Sequence, residues 1–173
     1  MDEALSSSFS SLPVLLSHLS LSDYLLLFPS SCSQSSQFLY PSVSLDVTDM
    51  AGQVGAWRVG LVGDLLYEGP IVDRHNRIIN WHVAWRPDRK FPIDMAGFAF
   101  AVREVVSRPE LEFDPTAPRG HIESYFLTNL VEKKEDLEAM GMDLDYVMVW
   151  HTRTQIPGLK WEAKVPSNPA IQV

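Results

Sequence analysis

The sequence predicts an α/β domain over residues 51–173, preceded by a serine-rich leader over residues 1–50. Three observations carry this reading. Short runs of β-branched and aromatic residues alternate with stretches in which apolar residues recur at helical spacing. The texture of the chain also changes abruptly near residue 50. The 173 residues suffice for one core and are few for two full domains. At 46% hydrophobic and 21% charged residues, the balance is that of an ordinary globular chain.

The net charge of −8 argues against a nucleic-acid surface, which needs a basic face. That charge is uneven. Residues 1–50 carry Asp2, Glu3, Asp23, Asp46 and Asp49 with no Lys or Arg, whereas the remainder holds 17 acidic and 14 basic residues. The leader also contains fifteen serines, which favour local backbone bonding over helix or sheet ladders. A disordered or loosely packed leader follows. Its apolar patches, Leu12–Leu19 and Tyr24–Phe28, fall short of the ~20 residues of a membrane span. Its acidic start has the wrong sign for a signal peptide. The single cysteine, Cys32, excludes an intrachain disulfide and any cysteine-built zinc site.

Residues 57–62 read as the first strand, with turns near Gly63-Asp64 and at Tyr67-Glu68-Gly69-Pro70. Residues 78–85 read as a second strand, buried on both faces. Asp94 fits the N-cap of a helix over 95–107 that Pro109 stops. Ile122, Tyr125, Phe126 and Leu130 mark a second helix over 121–131. Residues 132–138 read as a loop and a short solvated helix. Residues 146–151 form the last strand, delivering His151 and Arg153 at its carboxyl end, and the tail from Gln155 runs extended over the surface.

The densest chemistry lies in Pro118-Arg119-Gly120-His121-Ile122-Glu123-Ser124. Glu123 falls in the first turn of a helix, where an ionised carboxylate is favoured, with a cation and an imidazole just before it. Read one at a time, each candidate also has an ordinary structural role. Glu68 serves as a turn carboxylate, Asp94 as a helix cap, His151 as a hydrogen-bonded strand end, Arg153 as a solvated ion partner and Trp85 as core. No phosphate-binding glycine loop, zinc histidine pair or nucleophile elbow is present. Spacing alone stops at an α/β domain with carboxylates and basic groups.

Five ordered blocks add to this: Gly60-Leu61-Val62-Gly63, Tyr67-Glu68-Gly69-Pro70, Phe91 to Ala99, Thr116 to Ser124, and Val149-Trp150-His151-Thr152-Arg153-Thr154. On these words residues 51–173 resemble the C-terminal, acceptor-binding half of the animal β-1,3-glucuronosyltransferases. Within that family they resemble the branch acting on the galactosyl-galactosyl-xylosyl linker of proteoglycans. The resemblance implies part of a GT-A-like nucleotide-diphospho-sugar transferase fold. It implies inverting transfer of glucuronic acid from UDP-glucuronate to a galactose 3-hydroxyl in glycosaminoglycan biosynthesis. Glu123 matches the catalytic base, and Glu68, Trp85, Arg89 and Asp94 match acceptor-binding residues. His151 and Arg153 match donor-side groups, with Arg119 a further donor-side candidate. A Golgi setting, a homodimer and a manganese ion are implied as well.

The departures shape the expectation. The family's acidic triplet for manganese has no counterpart in residues 1–50, and Asp46, Asp49 and Asp64 do not reproduce it. Neither the uridine-binding half nor the membrane anchor has a match. Arg86 stands beside Trp85 where the family has an acidic or variable residue. The expectation is thus a truncated transferase lacking its donor half. The alternative is a non-catalytic galactoside-binding or dimerisation module.

Overall fold

The structure is a computed structural model describing residues 24–25, 54–151 and 155–173, with Tyr24–Leu25 described by backbone alone. Arg153, Cys32, Asp46, Asp49 and most of the predicted leader lie outside the described residues.

The first extended stretch is broken at Trp57-Arg58, and the break sends its two parts into different sheets. In chain order the described strands are β1 (Tyr24–Leu25), β2 (Val54–Ala56), β3 (Val59–Gly60), β4 (Tyr67–Val72), β5 (Ile78–His82), β6 (Phe98–Ala101), β7 (Glu138–Ala139) and β8 (Val149–Trp150). One sheet has the order β1-β6-β2-β7 and the other β5-β4-β3-β8. β2 runs antiparallel to β6 and parallel to β7, placing Gly55 opposite Ala99 and Glu138. β3 runs antiparallel to β4 and parallel to β8, placing Val59 opposite Glu68 and Val149. At the break, the buried Trp57 indole N–H donates to Ala96 O at 2.8 Å. The Arg58 guanidinium donates to the carbonyls of Leu144, Gly141 and Met142 at 2.9–3.3 Å. Buried donors require acceptors, and these two find theirs away from the strand ladder.

The expected helix over 95–107 is three elements. Asp94 caps a 3-10 turn, Met95–Gly97, through a bond from Ala96 N. Phe98–Ala101 then forms β6, with all four residues buried, before helix α1 (Val102–Ser107) begins. β6 is buried on both faces, so this stretch lacks the polar alternation that marks a half-exposed strand. The expected turn at 67–70 is the start of β4. Pro70 is tolerated there because the β3 partner ends at Glu68, leaving that edge without a ladder bond to lose. β5 stops at His82 and is not buried throughout, since Ile79 and Asn80 are exposed while Ile78 and Trp81 are buried. The last strand is shorter than expected, and Tyr146 makes only an isolated bridge to Gln172.

Helix α2 (Ile122–Thr128) turns Phe126 and Leu127 into the core. Phe126 stacks on Phe113 at 4.1 Å and lies 5.0 Å from Phe100 and 6.4 Å from Phe98. This aromatic group holds α2 against the first sheet. The tail does not simply run over the surface. Val147 N donates to Gln172 O and Gln172 N donates to Asp145 O, while Leu66 N donates to Glu162 Oε2 at 2.9 Å.

Replacing Phe126 by Ala removes the centre of that ring cluster. A loss of about 3–5 kcal/mol is expected, measured as a lower urea midpoint at unchanged m-value. A shift below about 1 kcal/mol would mean that α2 is held by something other than its aromatic face.

Candidate active site

Asp94 divides its carboxylate between two elements. Oδ1 accepts from Ala96 N at 2.9 Å, and Oδ2 accepts the Nδ1–H of His151 at 3.0 Å. His151 follows β8, and its backbone N donates to Gly60 O at 3.0 Å. The structural and functional readings of Asp94 are therefore compatible. One oxygen caps and the other orients an imidazole.

Glu68 projects from β4 and is only 5% exposed, with Oε1 lacking a hydrogen-bond partner. Burial raises its pKa to about 7, helped by the charge of Asp94 and opposed by Arg89 and a bond from the Ala84 backbone. Gly63 sits at φ +64 in the β3–β4 loop, and any Cβ there would strike the Glu68 carboxylate. Glu123, in the first turn of α2, is partly buried. Its pKa is raised by burial, with Asp94 adding and its own backbone N–H, Arg89 and His151 opposing.

Arg89 ties these carboxylates to Trp85 and Gly120. Its guanidinium donates to Gly120 O at 2.9 Å and Trp85 O at 3.2 Å, and lies 5.0 Å from the Trp85 ring centre. Burial lowers its pKa, while Glu68, Glu123, Asp94 and Asp88 all work against that fall. Gly120, at φ +73, leaves no room for a Cβ beside the Trp85 ring. Trp85 itself is 40% exposed and meets His121 edge-on at 6.2 Å, so it is a surface platform and not core.

Thus Glu68, Arg89, Asp94, Glu123 and His151 form one electrostatic cluster, although they span 84 positions. Beside it opens a cleft of about 650 Å³, bordered by Gly63, Trp85, Arg119, His151 and Trp161. Arg119 is exposed on that border, and Arg153 lies outside the described residues. Asp64 pairs with Lys160 at 2.7 Å. Among the described residues no group of three His, Cys, Asp or Glu is placed to hold a metal ion. The manganese suggested by resemblance therefore finds no ligand set there, and no step below is routed through one.

Sequence reasoning missed the tail's part in this region. Glu162 accepts from Leu66 N, Ser167 N and Ser167 Oγ, and Ser167 Oγ lies 3.1 Å from His82 Nε2. The one available signal was Trp161, the single aromatic residue in a proline-containing tail.

The sequence profile described as glycosyltransferase family 43 matches residues 48–155. The chain belongs to that family. It is 48% identical over 125 residues to the galactosylgalactosylxylosylprotein 3-beta-glucuronosyltransferase 3 proteins of Mus musculus and Homo sapiens. The match covers 69% of this chain and 37% of each relative. Caenorhabditis elegans galactosylgalactosylxylosylprotein 3-beta-glucuronosyltransferase sqv-8 is 40% identical over 109 residues, 63% of this chain and 31% of that protein. The mixed α/β architecture agrees with membership of family 43. Among the described residues, no helix is long and apolar enough to cross a membrane.

The buried carboxyl of Glu68 makes stability depend on pH. Its folded pKa of about 7 exceeds the ordinary 4.5. Between these values the folded chain holds a proton that the unfolded chain has lost, so stability falls as pH rises. The fall is about 3 kcal/mol across that window and levels off above it. Urea denaturation from pH 5 to 8 should show this slope, and Glu68→Gln should flatten it. An unchanged slope in the variant would mean that Glu68 ionises as it does in water.

Proposed function

We propose that this chain supplies the acceptor-binding and proton-accepting part of an inverting 3-β-glucuronosyltransferase. The donor is UDP-glucuronate, and the acceptor hydroxyl is the 3-hydroxyl of a terminal galactose in the proteoglycan linker. The observation that carries the reading is the grouping of Glu123 with Glu68, Asp94, Arg89 and His151, the last of which borders a cleft together with Trp85. The names and 48% identity of the mouse and human relatives supply the reaction class. The chain spans 37% of the length of those relatives, so the activity of a whole enzyme is part of the proposal.

In this mechanism the Glu123 carboxylate takes the proton of the galactose 3-hydroxyl as that oxygen attacks C1 of glucuronic acid. The bond from C1 to the diphosphate oxygen breaks, its electron pair leaves with UDP, and configuration at C1 inverts. Burial raises the proton affinity of Glu123, which suits a general base. Glu68, with a pKa of about 7, is roughly half protonated at pH 7, so it can donate to or accept from a sugar hydroxyl. Asp94 is held in place by its bonds to Ala96 N and His151, and Trp85 offers an apolar platform to a galactose face. Arg89 fixes that platform. His151, Arg119 and Arg153 serve the diphosphate, where cations balance the leaving group's charge. Golgi residence, a homodimer and manganese dependence belong to the same proposal and rest on resemblance alone.

A chimera in which residues 51–173 replace the matching segment of the mouse relative tests the reading. It should transfer radiolabelled glucuronic acid to a galactosyl-galactose acceptor, and Glu123→Gln should lower kcat by about 10²–10⁴-fold while acceptor affinity stays within about twofold. A folded chimera that binds acceptor but transfers nothing would favour the galactoside-binding module. Full turnover with Glu123→Gln would remove Glu123 as the base.

A further inference from the structure

The loop between β3 and β4 covers a buried carboxyl. Leu61, Val62, Gly63 and Asp64 border the cleft, and one of them, Gly63, also packs directly on Glu68. Glu68 Oε1 lies where a Cβ on Gly63 would have to go, and it has no hydrogen-bond partner. This loop does not take its shape from local preference. Leu61, Gly63 and Asp64 stand at φ +57, +64 and +60, and only the glycine adopts that conformation freely. Two bonds close the loop on itself, from Leu61 N to Leu66 O at 2.8 Å and from Leu65 N to Val62 O at 3.0 Å. Three more ties come from the tail. Trp161 N donates to Asp64 O at 3.2 Å, Lys160 Nζ pairs with Asp64 Oδ2 at 2.7 Å, and Leu66 N donates to Glu162 Oε2 at 2.9 Å. Gly158 permits the approach, because a Cβ there would crowd Asp64 Oδ1.

We propose that Lys160 and Glu162 are positioning residues for Glu68: they strap the β3–β4 loop down on its carboxyl and keep water from Oε1. Both act through the loop, Lys160 by way of Asp64 and Glu162 by way of Leu66. Burial is the first cause of the raised proton affinity of Glu68, and the charge of Asp94 adds to it. Arg89 and the bond from the Ala84 backbone work the other way. Loosening the strap weakens the first cause and leaves the other three in place, so Glu68 then ionises more readily. The Lys160 side chain is 73% exposed, and an ion pair so open to water contributes little alone. The hold is therefore shared with Glu162, which Ser167 fixes in turn. The strap itself stands apart from the transferase reading. Its use rests on that reading, under which the strap sets the fraction of Glu68 able to donate to a sugar hydroxyl at pH 7.

The test follows the Glu68 carboxyl of the full chain by carbon-13 NMR titration, together with amide hydrogen exchange and with no sugar present. The wild-type carboxyl should titrate near 7. In the double variant Lys160→Met, Glu162→Ala it should titrate lower, toward the ordinary 4.5. The amides of Leu61 and Leu65, which bond within the loop, should then exchange about tenfold faster, while those of β5 and β6 keep their rates. Asp64→Asn gives a second route that leaves the tail untouched. Asparagine tolerates the left-handed conformation but removes the partner of Lys160, so a smaller shift in the same direction is expected. It decides the matter should the double variant not fold. An unmoved Glu68 titration in a folded variant overturns the proposal. Equal acceleration of the β5 and β6 amides does so too, since the tail would then brace the whole fold and not this loop. Either failure leaves the transferase reading standing, because that reading is decided by transfer in the chimera and not by this titration.

Discussion

The site depends on one guanidinium. Burial, together with the charge of Asp94, opposes ionisation of both Glu68 and Glu123. Arg89 is the cation common to all three carboxylates, and it is itself held by the carbonyls of Gly120 and Trp85. The same group therefore offsets charge, fixes the loop before α2 and braces the Trp85 indole. A lysine would keep the charge but lose the planar fork that reaches two carbonyls at once.

Around that centre, the backbone is arranged by close approach. Gly63 leaves space for the Glu68 carboxylate and Gly120 leaves space for the Trp85 ring, both in left-handed conformations that a side chain would strain. The break at Trp57-Arg58 lets β2 and β3 serve different sheets, so Asp94 from one side meets His151 from the end of β8. Core and site are thus coupled through short, heavily cross-tied strands.

How much of this was legible in the sequence varied with the physical signal. Asp94 as a cap and Glu123 in a first helical turn were readable from local chemistry, because capping and helix polarity act over a few residues. That Glu68, Asp94, Glu123 and His151 would share one region came from resemblance, since spacing carries no information across sheets. Phe98–Ala101 was misread as helix because a strand buried on both faces has no alternation to show. Tyr67–Val72 was misread because Gly69-Pro70 ordinarily marks a turn, and only the short reach of β3 makes proline acceptable there. The tail's return was invisible, since it depends on single polar contacts such as Glu162 with Leu66 and not on any periodic pattern.

The two parallel pairings have a consequence for how the chain reaches this state. β2 meets β7 through Gly55 and Glu138, and β3 meets β8 through Val59 and Val149, contacts 83 and 90 positions apart. Loop-closure entropy must be met before either contact rewards it, which slows folding relative to a topology of hairpins. During synthesis, β3 waits with one edge open until β8 has left the ribosome, and the carboxylate–arginine cluster stays incomplete until His151 follows. Such an interval exposes unpaired backbone to other chains, so the yield of this fold depends on how well that edge is shielded while the last third is made.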